Sequence, residues 1–123
     1  MKILIVEDED ILVRVLREKF EDNGFDVEVA EEGDKVIPLV EKFKPDMILL
    51  DIFLPKLNGM DILEKLKDDE VMKTIPVIII SNLDDDKKIK EALNLGAVDY
   101  IVKSQHPINE VVELVNKYIL KAK

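Results

Sequence analysis

Hydrophobic residues along this 123-residue chain gather into short unbroken runs: Ile3-Leu4-Ile5-Val6, Met47-Ile48-Leu49-Leu50, Val77-Ile78-Ile79-Ile80 and Tyr100-Ile101-Val102. Runs without alternation are what strands buried on both faces require. A fifth segment, Phe25-Asp26-Val27-Glu28-Val29-Ala30, alternates apolar with polar and belongs at a sheet edge.

Between the runs the spacing changes to that of helices. Leu12, Val15, Leu16 and Phe20 mark a first helix that stops at Asn23-Gly24. A second spans about Asp34 to Phe43 with Val36, Ile37 and Val40 inward; its Pro38 fits only within or next to the first turn. The third opens at Asn58 as N-cap and buries Met60, Leu63 and Leu66. The fourth starts near Asp84, with Ile89, Ala92 and Leu93 inward before Gly96. The fifth begins at Pro107 and carries Ile108, Val111, Val112, Val115 and Ile119.

Five strands alternating with five helices imply parallel pairing through right-handed crossovers, hence a three-layer α/β/α sandwich. The length suits a single domain spanning residues 1–123, with no repeat or linker. The acidic piece Lys67-Asp68-Asp69-Glu70 reads as a solvated loop.

Composition narrows the chemistry. Eighteen Lys and Arg against 27 Asp and Glu give a net charge of −9, which repels nucleic-acid phosphates and anionic lipid. DNA binding by this chain alone and membrane attachment are therefore not expected. The absence of cysteine removes disulfides, thiolate catalysis and zinc–thiolate sites. No apolar stretch approaches the ~20 residues needed to span a bilayer, and no signal-peptide pattern follows Met1. A cytoplasmic location is expected.

In a parallel sheet, the residues that follow each strand gather at one edge, where open α/β sheets bind ligands. Here these are Glu7 and Asp8, Asp51, Ser81 and Lys103. The first turn reads Glu7-Asp8-Glu9-Asp10, whereas a dinucleotide or nucleoside-triphosphate site needs a glycine-rich loop there. Such a turn repels a phosphate unless a cation intervenes. Clustered carboxylates persist as anions when a cation neutralises them. Mg²⁺ suits the purpose, since it takes one or two protein carboxylates and keeps several waters. Asp8 and Asp51 are the expected ligands, and Asp51, ending a central strand, is the expected nucleophile toward a phosphoryl group.

Each residue also has a plainer reading. Asp10 is a candidate N-cap of the first helix. Taken alone, Ser81 would cap the fourth helix and Lys103 would be a surface lysine; the acids opposite change the reading of Lys103. Glu7 and Asp8 abut a buried strand, where an unpartnered carboxylate costs several kcal/mol. Tyr100 is either an edge-strand aromatic or a movable side chain coupled to the site. The sole histidine, His106, is given no chemical role.

Residues 3–9 (Ile-Leu-Ile-Val-Glu-Asp-Glu), residues 48–55 (Ile-Leu-Leu-Asp-Ile-Phe-Leu-Pro) with Asn58-Gly59, Ser81, and residues 96–103 (Gly-Ala-Val-Asp-Tyr-Ile-Val-Lys) resemble the receiver domain of two-component response regulators of the chemotaxis-regulator type. The resemblance covers essentially the whole chain. It implies a flavodoxin-like fold with strand order 2-1-3-4-5, and a phosphoacceptor at Asp51. It further implies Mg²⁺ held by Asp8, Asp51 and the backbone carbonyl of Phe53, with Glu7 acting through a coordinated water. Lys103 would pair with the phosphoryl group. Ser81 would move to hydrogen-bond it, and Tyr100 would turn inward, altering the surface of the fourth helix, fifth strand and fifth helix.

The implied partners are a histidine kinase or phosphotransfer protein and a downstream protein. The chain would catalyse its own phosphorylation and dephosphorylation without being a multiple-turnover enzyme on other substrates. With no effector segment after Lys123, a stand-alone receiver is expected.

Two departures stand out. Ser104 follows the lysine where the family commonly has proline, so that bond is expected to be trans. Asn82 follows Ser81 where Ala or Gly is usual. Two other readings compete. A haloacid-dehalogenase-like phosphatase would want a second Asp two positions after Asp51, and Phe53 stands there. A phosphate-independent binding module would bind its partner regardless of Asp51.

Overall fold

A computed structural model describes residues 1–122. Its strands are β1 (Lys2–Val6), β2 (Asp26–Ala30), β3 (Met47–Asp51), β4 (Val77–Ser81) and β5 (Asp99–Val102). The helices are α1 (Asp10–Asp22), α2 (Val36–Phe43), α3 (Gly59–Asp68), α4 (Asp86–Leu95) and α5 (Ile108–Ala122), with 3₁₀ turns at Gly33–Lys35 and Met72–Thr74. All strand pairs are parallel, in the order β2-β1-β3-β4-β5. The fold is thus the flavodoxin-like three-layer sandwich expected, and the alternating strand β2 does lie at an edge.

Alternation along each strand sorts the sheet's side chains into two cores. Ile3, Ile5, Leu49 and Ile78 face Leu16 and Phe20 of α1 and Val111 and Val115 of α5. Leu4, Val6, Leu50 and Ile79 face Val40 of α2, Leu63 and Leu66 of α3 and Ala92 of α4. With β1, β3 and β4 covered on both faces, their runs need no polar alternation. Phe20 and Phe25 close one end of the first core edge to face, centroids 5.3 Å apart.

The helix boundaries follow their punctuation. Gly24 lies at φ +86° just past α1, a left-handed position that favours glycine. The Asn58 side chain caps α3 by accepting from Met60 N at 2.8 Å. Pro38 falls in the first turn of α2, where its missing N–H costs nothing; the preceding residues from Gly33 form the 3₁₀ turn, so α2 begins later than its spacing suggested.

Several expectations are corrected. Asp10 does not cap α1: it is already the first helical residue, and Glu9 occupies the N-cap without a side-chain bond. Ser81 does not cap α4 either; Asp85 does, accepting from Lys87 N at 2.9 Å. Leu93 is exposed rather than inward, because α4 turns Ala92 and Leu95, three positions apart on one face, toward the core and leaves Leu93 off that face. Lys67–Glu70 is not merely a solvated loop. Lys67 and Asp68 end α3, and the Lys67 ammonium donates to the carbonyls of Lys73 and Ile75. Asp69 accepts from Val71 N and Met72 N, which holds its carboxyl below the usual range. No helix among the described residues is long and apolar enough to cross a membrane.

Candidate functional site

Strand register builds the site. Val6 pairs with Leu50 and Asp51 with Ile80, so the residue after β1, Glu7, stands beside the last residue of β3. Ser81 pairs with Val102, and Lys103 N donates to Ser81 O at 2.8 Å, which carries Lys103 to the same edge. Chain direction thus brings together side chains up to 96 positions apart in sequence (Glu7 to Lys103).

Glu7 and Asp51 are buried and Asp8 is exposed. One carboxylate oxygen from each lies within 4.8 Å of the others. Lys103 Nζ sits 2.6 Å from Glu7 Oε1, 3.1 Å from Asp51 Oδ2 and 3.1 Å from Glu9 Oε2. Glu7 Oε2 accepts from the backbone of Asp8 and Glu9, and Asp51 Oδ1 accepts from Phe53 N.

The electrostatics follow from burial. Desolvation pushes the Glu7 carboxyl up, against the downward pull of the Lys103 ammonium. Burial also works against the charged form of Lys103, but Glu7 and Asp51 outweigh it and hold the ammonium above its ordinary range. Lys103 therefore stays charged. Glu7 Oε1 is buried and has no hydrogen-bond partner, its contact with Lys103 being an ion pair outside hydrogen-bond geometry. An acceptor left with free lone pairs beside two further carboxylates is a donor set suited to a hard cation such as Mg²⁺.

The backbone around Asp51 is held by close packing. A Cβ at Gly59 would stand 2.3 Å from Asp51 O and 2.5 Å from Ile52 Cα, so only glycine lets the start of α3 come this close. Gly59 N donates to Ile52 O at 2.7 Å. Across the site, Ser81 is buried and its Oγ accepts from Leu83 N at 3.1 Å. Tyr100, half-buried on β5, donates its hydroxyl to Leu83 O at 2.7 Å, and burial pushes that hydroxyl's pKa up. Leu83 is thus gripped through its N–H by Ser81 and through its carbonyl by Tyr100.

Phe53 is exposed beside Asp51. His106 Nδ1 lies 2.9 Å from a carboxylate oxygen of Glu110 on α5. No cis peptide bond occurs among the described residues, so Ser104 follows Lys103 through a trans bond. Glu9 was not singled out by the sequence. The acidic run Glu7-Asp8-Glu9-Asp10 was visible, but which of its members turns toward Lys103 depends on the backbone leaving β1.

The sequence profile described as the response regulator receiver domain matches residues 3–116. The alkaline phosphatase synthesis transcriptional regulatory protein PhoP of Bacillus subtilis is 36% identical over 106 residues, 86% of this chain and 43% of PhoP. This chain thus spans less than half the length of that relative. Among solved structures, the receiver domain of the Francisella response regulator 1452 superposes with a TM-score of 0.90 at 32% identity, covering 99% of this chain and 98% of that one. The BeF3-activated N-terminal receiver domain of Klebsiella pneumoniae RstA gives 0.88 at 28% identity, covering 97% and 98%. The chain belongs to the response regulator receiver domain family.

Proposed function

We propose that this receiver domain, acting as one unit over residues 1–123, is a phosphorylation-dependent switch. Asp51 accepts a phosphoryl group from a histidine kinase or phosphotransfer protein, and the surface of α4, β5 and α5 then controls a downstream protein. The observation that carries this reading is Asp51 itself, a buried carboxylate with a lysine ammonium 3.1 Å away and oxygens of Glu7 and Asp8 within 4.8 Å. No other cluster of three metal-ligating side chains occurs among the described residues.

Asp8, Asp51 and the Phe53 carbonyl would hold Mg²⁺, with Glu7 reaching it through a water. Bound there, the ion would offset the negative charge of the transferring phosphoryl group. One Asp51 oxygen forms the new bond to phosphorus as the donor's bond breaks. Lys103, kept charged by its neighbours, pairs with the phosphoryl oxygens. Ser81 turns its hydroxyl toward them and so releases Leu83 N; Tyr100 follows Leu83 and settles inward. Hydrolysis of the acyl phosphate by water releases inorganic phosphate, restores the Asp51 carboxylate and resets the switch. The acidic surface, which repels phosphates and anionic lipid, supports a cytoplasmic protein that meets other proteins rather than nucleic acid or lipid.

Acetyl phosphate with Mg²⁺ is expected to add one phosphoryl mass to the intact protein, and Asp51→Asn to abolish the addition. Stoichiometric labelling of the Asn variant would remove Asp51 from its role, and multiple turnover of a phosphomonoester would favour a phosphatase.

A further inference from the structure

Three carboxylates surround the Lys103 ammonium, and they are not alike. Glu7 and Asp51 are buried, with side chains 1% and 5% exposed, whereas the Glu9 side chain is 63% exposed. Glu9 therefore approaches Lys103 from the solvent side, the side from which any phosphodonor must arrive. It belongs to no cation-binding group, since that cluster comprises Glu7, Asp8 and Asp51. It does not cap α1 with its side chain. The polar partner found for its carboxylate is Lys103, 3.1 Å away and 94 positions distant in sequence.

Of the three donors of the ammonium, two bond Glu9 and Asp51, and Glu7 Oε1 crowds it as an ion pair at 2.6 Å. An incoming phosphoryl oxygen therefore competes with these carboxylates for Lys103. Glu7 is fixed by burial and by two backbone N–H groups, and Asp51 is the acceptor itself. Glu9 is the one free to yield.

We propose that Glu9 is a specificity-determining residue that competes with the incoming phosphodonor for Lys103, so that the site discriminates against the more anionic donors. The inference rests on Asp51 being the phosphoacceptor. Transfer makes one Asp51 O–P bond. It breaks either the P–O bond of acetyl phosphate, releasing acetate, or the P–N bond of phosphoramidate, releasing ammonia after protonation by solvent. Glu9 takes no part in this exchange of bonds. It acts before it, through charge and through its hold on Lys103.

The test compares the two donors on the full chain with Mg²⁺. Near neutral pH acetyl phosphate is the more anionic and phosphoramidate the less. Glu9→Gln keeps the shape and removes the charge. It is expected to raise the second-order rate constant for acetyl phosphate roughly tenfold at low ionic strength, the order expected for removing one exposed unit charge near an anion. The gain appears as a lower half-saturating concentration with the saturating rate unchanged. The factor is smaller for phosphoramidate, and the gap between donors closes near 1 M salt, where the Debye length is about 3 Å. Glu9→Asp, which keeps the charge, stays near wild type. In the Mg²⁺-free protein, the Lys103 ammonium protons exchange faster with solvent in Glu9→Gln than in wild type.

Equal factors for both donors, a gain that ignores salt, Glu9→Asp behaving like Glu9→Gln, or unchanged ammonium exchange would each overturn the role of Glu9. Failure of wild type to be phosphorylated on Asp51 by either donor would instead overturn the reading beneath it, and this proposal with it.

Discussion

Lys103 shows how one side chain ties stability to chemistry. Its pKa is raised in the fold, so its ion pairs contribute fully at neutral pH and below the unfolded value near ~10.4, and are lost as pH rises through the higher folded value. Its nearest partner, Glu7, is shifted up by burial, so the folded state holds a proton on Glu7 where the unfolded chain does not; stability then falls as pH rises through that window. Removing the lysine leaves Glu7 buried beside Asp51 without its cation. Lys103→Met is expected to cost roughly 3 kcal/mol at neutral pH, in the range for breaking a buried pair. The cost should shrink as pH falls through the raised range in which Glu7, its carboxyl pushed up by burial, takes up a proton. Urea unfolding from neutral pH down through the acid range measures this, and a penalty independent of pH would contradict the pairing. The sequence exposed Glu7, Asp8, Asp51, Ser81 and Lys103 because each directly follows an apolar run whose direction is fixed. It did not expose Glu9 or rule out Asp10 as a cap, because in the turn leaving β1 the local backbone, and no periodicity, decides where a carboxylate points.

Among the elements, α3 and α4 make the contrast. Asn58-Gly59 punctuates α3 unmistakably, and the structure adds a reason beyond capping in the approach of Gly59 to the Asp51 carbonyl. Asn58→Ala is expected to cost about 1 kcal/mol, the usual worth of an N-cap. Gly59→Ala should cost about 1–3 kcal/mol, as overpacking does, and should also slow phosphorylation, because the backbone that must give way is that of Asp51 and Ile52. Thermal melts paired with labelling rates separate the two variants: Asn58→Ala loses stability with little loss of rate, Gly59→Ala loses both. Helix α4 offered weaker signals. Its few apolar positions fit more than one starting point, and three consecutive aspartates, Asp84 to Asp86, could each have been the cap. The face that packs carries Ala92 and Leu95, which leaves Leu93 outward. Leu93→Asn should therefore change stability by no more than about 0.5 kcal/mol in denaturant melts, as surface changes do; a loss near 2 kcal/mol would put Leu93 back in the core.

For the whole molecule, strand type and layer arrangement were readable because runs buried on both faces admit few alternatives. Strand order was not derivable in this way, since right-handed crossovers allow several orders; it followed from resemblance, and the sheet has it. The order matters because it sets β1 beside β3 and so Asp8 near Asp51. If those strands together form a cation site, Mg²⁺ binds the folded chain and not the unfolded one. Saturation to 100 times its dissociation constant should then stabilise the protein by about 2.7 kcal/mol, an effect lost in Asp8→Asn and unmatched by equal ionic strength of sodium chloride. The most direct measurement is a crystal structure with Mg²⁺ and beryllofluoride, a phosphoryl mimic. A single Mg²⁺ bridging Asp8 and Asp51 at about 2.1 Å, with beryllium on Asp51 and Lys103 turned from Glu9 toward fluoride, is the arrangement required. Beryllofluoride on another residue, or a cation that leaves Asp8 and Asp51 unlinked, would contradict it.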